Sequence, residues 1–172
     1  MKKVSKKFFL RSVIGGLGLA IVFLGLATIL AMNRVEDFAV ICLGLSCIAV
    51  IYGGIVMIIL FCKMWAAIQD GNARTTPLKA ILFMFIPLFN LYWAFQAIWG
   101  YAKDFNKYIE RHGIQTQQLP EGLFLTYVIL CFTTWIPFLG ILLMVANIFI
   151  GLVMVSKICD GINVIASGPP QE

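Results

Sequence analysis

The chain has 172 residues, enough for one domain of moderate size. Hydrophobic residues make up 61% of it and charged ones 12%, about half the charged share of a soluble domain, so a water-soluble globular fold is excluded. The net charge of +5 is not a nucleic-acid signature: five of the 13 basic residues stand in the first eleven positions, where they orient a membrane protein and attract anionic headgroups.

Charge is also segregated along the chain. No Asp, Glu, Lys or Arg lies in 12–33, 38–62, 80–102 or 122–156. A helix needs about 20 apolar residues to cross the hydrocarbon. The first three runs suit one crossing each. The fourth is too long for a single crossing at ordinary tilt. The expected fold is all-α, a polytopic transmembrane bundle in one integral membrane domain over 1–172.

The basic head Lys2, Lys3, Lys6, Lys7 and Arg11 precedes a first span at about 12–32. The run is too long for the apolar region of a signal peptide, and no small-x-small cleavage site follows it. An uncleaved span with a cytoplasmic N-terminus is expected. A short external turn at 33–37 leads to a second span at 38–62. Gly16 and Ala20 in the first, and Ala49 and Gly53 in the second, share the small-xxx-small spacing that lets helices approach closely. An antiparallel hairpin packed through these four residues is expected.

Lys63 closes the second span. Asp70, Gly71 and Asn72 signal a turn, and Thr76 followed by Pro77 signals a helix start, a threonine cap with proline at the first helical position. The loop 63–79 holds Lys63, Arg74 and Lys79 against one Asp70, which places it in the cytoplasm. A third span is expected at 78–101. Pro87 has no N–H, so the carbonyl of Phe83 loses its helical partner and a kink follows, with Asn90 close enough to help. Tyr92, Trp93, Trp99 and Tyr101 suit an aromatic belt at the outer interface.

The helix should continue into water on the far side. Tyr101, Phe105, Tyr108 and Ile109 fall on one face, and Lys103, Asp104, Lys107, Glu110 and Arg111 cover the other. A polar loop at 112–121 follows. The last apolar block is interrupted at 133–140, where Pro137 marks a tight turn. That gives spans at about 122–136 and 138–157, five crossings in all. The alternative is one long, kinked last helix and four crossings. Residues 164–172 read as a polar tail.

The stretch 65–99 resembles an uncharacterised family of bacterial multi-span membrane proteins known as a domain of unknown function. The resemblance rests on Trp65, the turn residues Asn72, Ala73 and Arg74, the helix-starting Pro77, the Phe-Ile-Pro-x-x-Asn-Leu run at 85–91, and Phe95, Gln96, Ala97 and Trp99. It covers about a fifth of the chain. It departs where that family shows Gly-Trp-Ala after the proline, which here is Leu78, Lys79 and Ala80. The resemblance implies a multi-span protein of the bacterial cytoplasmic membrane and brings no catalytic residues.

Candidate chemistry is sparse. No metal-binding, nucleophile-elbow or phosphate-loop motif occurs, and the carboxylates all lie outside the apolar runs. Cys42, Cys47, Cys62, Cys131 and Cys159 form no Cys-x-x-Cys and read as small apolar filler. His112, the only histidine, reads as a solvated loop residue. No catalytic residue, metal ligand or cofactor is expected. A span-buried ionisable residue of the kind ion-coupled transporters keep is also missing from the apolar runs. The best local site is the turn at 74–79. There Arg74, Thr75, Thr76 and Lys79 gather cations and free helix N–H groups that suit a lipid headgroup, although capping and topology account for the same residues. Pro87, Asn90 and Pro137 are candidate helix-break residues. The expectation is a non-catalytic accessory or scaffold subunit of a larger membrane complex, with lipids and other membrane subunits as partners. The rival is a transporter-like or lipid-handling protein that uses the breaks at Pro87 and Pro137.

Overall fold

The computed structural model describes residues 3–133 and 140–168. It is helical, and among the described residues no strand occurs. Among the described residues three helices are long and apolar enough to cross a membrane: Lys6–Met32, Glu36–Ala67 and Leu143–Ser167. The chain divides into two compact units, Lys7–Leu60 and the remainder.

The smaller unit is a helical hairpin. Helix α1 (Lys6–Met32) and helix α2 (Glu36–Ala67) are joined by a turn in which Arg34 adopts φ 58°. Glu36 and Asp37 occupy the first turn of α2, where acidic side chains meet the positive end of the helix dipole. Gly16, Ala20, Ala49 and Gly53 are brought together between the two helices. A Cβ built on Gly16 would lie 3.4 Å from the Ala49 carbonyl oxygen and 3.6 Å from the Gly53 Cα. The Ser46 hydroxyl donates to the Ala20 carbonyl at 2.9 Å, and the Tyr52 hydroxyl to Ser12 Oγ at 3.0 Å. Ala20 thus brings its backbone carbonyl within reach of a side chain from the facing helix. The four glycine and alanine positions are unequal, because a Cβ on Gly53 meets nothing within 4 Å. Gly16→Leu should lower the detergent melting temperature by forcing the helices apart, whereas Gly53→Leu should leave it nearly unchanged; equal effects would contradict the seam.

The larger unit holds the remaining helices. Helix α3 (Pro77–Leu82) begins at Thr76, whose side chain accepts from the Lys79 N–H. A 3₁₀ turn, Phe83–Phe85, follows, and the helix then stops. The expected third span is therefore not a kinked helix over 78–101. Pro87 supplies the reason, since it cannot donate to Phe83. The freed Phe83 carbonyl instead accepts the Ile86 N–H at 3.4 Å, and Leu88 turns through φ 64°. Asn90 contributes its backbone N–H, which donates to the Ile86 carbonyl at 3.0 Å.

Helix α4 (Phe89–Ala94) then doubles back along α3. Trp93 Nε1 donates to the Ala80 carbonyl at 3.0 Å, and the Phe83 ring sits edge-on to Trp93 with centroids 4.8 Å apart. Trp93 thus serves as the clasp of a helical hairpin. A π-helical turn, Phe95–Trp99, joins α4 to helix α5 (Gly100–Arg111).

Helix α6 (Glu121–Thr133) and helix α7 (Gly140–Ser167) lie against each other, with Asn147 Nδ2 3.5 Å from Cys131 Sγ. A Cβ on Gly151 would come within 3.0 Å of the Tyr127 ring. The single long, kinked last helix does not form, and α7 continues ten residues past the 157 expected for its end. The connection that contains Pro137 lies outside the described residues. The core of this unit gathers Trp65, Tyr101, Phe105, Phe124, Val128, Val155 and Ile162, all fully buried.

Candidate functional site

The densest polar cluster is built where the turn after α2 meets α5. Arg74 closes onto Asp104: its backbone N–H, Nε and Nη2 all donate to that carboxylate, at 3.0, 2.9 and 2.7 Å. Its third guanidinium nitrogen, Nη1, donates to Gln96 Oε1 at 2.9 Å. Planar guanidinium and planar carboxylate meet in the two-pronged geometry that makes such bonds strong. Gly100 makes room for it, since a Cβ there would lie 2.5 Å from Arg74 Nη1. The Asp104 side chain is only 10% exposed.

A second pair ties the same two segments. Arg111 Nη2 donates to Asp70 Oδ2 at 2.7 Å. The Asn72 N–H and the Arg111 guanidinium hold the Asp70 carboxyl below its ordinary value. These two pairs overturn the expectation that 63–79 and 103–121 lie on opposite sides of a membrane. A straight third span would have separated them. The reversal at Pro87 returns the chain to the end it left.

Of the residues of the expected lipid-headgroup seat, one is paired within the chain. Arg74 faces Asp104, Thr75 is buried, and Thr76 caps α3, which leaves Lys79 exposed at that turn. Gln96, a neutral polar residue inside an apolar run, is the partner of Arg74 Nη1. Asp104 was read as part of a solvated face, because a helical repeat cannot distinguish a surface carboxylate from one covered by an incoming loop.

Three further residues escaped sequence reasoning. Asn106 is buried and exchanges two bonds with Leu119: its Nδ2 donates to that carbonyl at 3.0 Å, and its Oδ1 accepts from that N–H at 2.7 Å. It fixes the loop just before α6. Asp160 and Asn163, on α7, hold the N-terminal segment: Lys6 Nζ lies 2.7 Å from Asp160 Oδ2, and the Val4 N–H donates to Asn163 Oδ1 at 2.7 Å. An amide or carboxylate near the end of an apolar run is the only signal these carried.

The Tyr101 hydroxyl is a buried side-chain oxygen without a hydrogen-bond partner. Its ring packs edge-on against Trp65, with centroids 5.5 Å apart. An unpaired buried hydroxyl costs about 1–3 kcal/mol. Tyr101→Phe should therefore raise the melting temperature, and a fall would show that the hydroxyl has a partner in solution. His112 is exposed and stacks on Tyr108 at 4.2 Å. No group of three or more His, Cys, Asp or Glu side chains able to hold a metal occurs among the described residues. Comparison of the chain with family models, with curated proteins and with solved structures finds no match.

Proposed function

We propose that this chain is an integral membrane protein of the bacterial cytoplasmic membrane that works by association, as a small accessory or scaffold subunit among other membrane proteins. The observation that carries this reading is the outer surface of the α1–α2 hairpin. Only 17% of the most apolar window of α1 and 22% of that of α2 is buried within the chain. Ile21, Val40, Ile48 and Ile55 project from those helices with more than half their surface exposed. Such a surface is stable only against lipid or against the helices of another protein.

Its polar groups support a structural rather than a reactive role. Each nitrogen of the Arg74 guanidinium donates one hydrogen bond inside the chain, to Asp104 or to Gln96. The resemblance of 65–99 to a bacterial multi-span family favours the bacterial location. Orientation follows from charge: Arg34 alone of the 13 basic residues stands in the turn between α1 and α2, and the others lie in 1–11, in 63–111 or at 157. The positive-inside rule then sets the N-terminus, 63–79 and 103–121 in the cytoplasm. Helices α1, α2 and α7 make the full crossings, and α6, only 13 residues long, covers about two thirds of the hydrocarbon.

A photo-crosslinking residue at Ile21, Val40 or Ile48, followed by mass spectrometry, tests the association. The reading expects adducts with one or a few defined membrane chains, at constant stoichiometry in a complex that survives mild detergent. Adducts only with lipid would overturn it. The break at 86–88 favours a second reading, a lipid- or solute-handling protein that works through Pro87 and Pro137. Flux or lipid transfer in liposomes, lost in Pro87→Ala, would select that one.

A further inference from the structure

We propose that the α3–α4 hairpin is a re-entrant membrane anchor: it enters the hydrocarbon from the face that carries Arg74, turns at Pro87 among the acyl chains of that leaflet, and returns to the same face. The proposal rests on the membrane reading above and adds a third kind of membrane contact to the crossings.

Both feet of the hairpin are fixed at one polar end. The foot before α3 is held where Arg74 bonds Asp104, and the foot after α4 where Gln96 bonds Arg74. Neither foot can leave that end without breaking a charge-assisted bond. Between them the hairpin carries no charge past Lys79, since 80–102 holds no Asp, Glu, Lys or Arg. Its tip presents Phe85, Leu88 and Tyr92 with 68%, 83% and 58% of their surfaces exposed. An apolar tip of this kind above a charged base is matched by the gradient of one leaflet, from headgroup to acyl chain.

Length agrees with that placement. Six α-helical residues and three 3₁₀ residues rise together about 15 Å, half of a hydrocarbon core about 30 Å thick. The backbone at the reversal is also suited to a dry setting. An unpaired N–H in hydrocarbon costs several kcal/mol. Here the N–H groups of Ile86, Phe89, Asn90 and Leu91 are bonded to the carbonyls of Phe83, Pro87, Ile86 and Leu88, and Pro87 has no N–H, so the Leu88 N–H is the one donor of 86–91 that finds no backbone carbonyl. The aromatic clasp of Phe83, Phe89 and Trp93 keeps the two arms together, with Phe89 and Trp93 stacked at 5.7 Å.

Nitroxide labels on single cysteines test the depth. They are placed at Leu88→Cys, with Leu91→Cys as a second tip site, and at Val40→Cys and Asn72→Cys as references, in a chain whose native cysteines are replaced. The protein is reconstituted in phosphatidylethanolamine–phosphatidylglycerol liposomes. Oxygen should relax the label at 88 while a water-soluble nickel chelate does not, as at 40, and the chelate should reach 72. Nickel relaxation at 88 and 91 with 40 still shielded would overturn the anchor and leave the membrane reading intact. Shielding of 88 and 91 from both reagents would also overturn it, because a protein surface would then cover the tip. Nickel access at 40 as well as 88 would remove the membrane reading and the anchor together.

Discussion

Asp104→Ala is expected to destabilise the protein by about 3 kcal/mol, read as a fall in the detergent melting temperature, because it strips the partner from a largely covered guanidinium and from a backbone N–H. The Arg74 N–H, Nε and Nη2 all lose their acceptor at once. Asp104→Asn keeps one acceptor oxygen and removes the charge, so its effect should be smaller. Arg74→Lys keeps the charge but loses the planar fork, and should fall between the two. Gly100→Ala should reproduce much of the loss from the opposite direction, by placing a methyl where the guanidinium lies. If all four variants melt as the parent does, the pair is a surface contact without structural consequence, as many exposed ion pairs are.

Trp65→Ala is expected to cost about 3–5 kcal/mol, the range for a large aromatic removed from a packed core. Trp65 is fully buried, lies edge-on to Tyr101, and donates from Nε1 to the Ala97 carbonyl at 3.2 Å. Ala97 belongs to the π-helical turn, so the indole ties the end of α2 to a stretch where the helical hydrogen-bond ladder is widened. Trp65→Phe separates the two contributions. It retains most of the buried ring area and removes the indole donor from the Ala97 carbonyl, for a loss of about 1 kcal/mol. Chemical denaturation in detergent, followed by helical signal, reads both variants. Equal losses in Trp65→Ala and Trp65→Phe would assign the whole effect to the hydrogen bond.

What could be read in the sequence follows from which forces act locally. The absence of charge over 12–33 and 38–62 is a local signal, and two long apolar helices form there. The Thr76 cap and the Pro77 start are set by neighbouring residues, and α3 begins as the spacing predicts. Pro87 was legible as a defect, but not its outcome. A kink and a full reversal both satisfy the missing N–H. The choice rests on Trp93 finding the Ala80 carbonyl and on Asp104 finding Arg74, across gaps of 13 and 30 positions. Neither pairing leaves a trace in periodicity. For the same reason the amphipathic pattern of α5 located its apolar stripe, Tyr101, Phe105 and Ile109, yet missed that Asp104 and Asn106 are covered as well. Arg74 reads as an open cation because the carboxylate that meets it comes from a distant helix.

The reversal at Pro87 makes a topological claim that differs from the straight third span, and access of labels decides between them. Single cysteines at Asn72→Cys, Gln115→Cys and Val35→Cys, in a chain with its native cysteines replaced, would be exposed to a membrane-impermeant maleimide in sealed vesicles of known orientation. The account predicts that positions 72 and 115 are labelled from the same, cytoplasmic face, and that Val35, beyond the opposite end of α1 from Lys6, is labelled from the other. Labelling of 72 and 115 from opposite faces would contradict it, because the chain would then cross the membrane between Arg74 and Asp104.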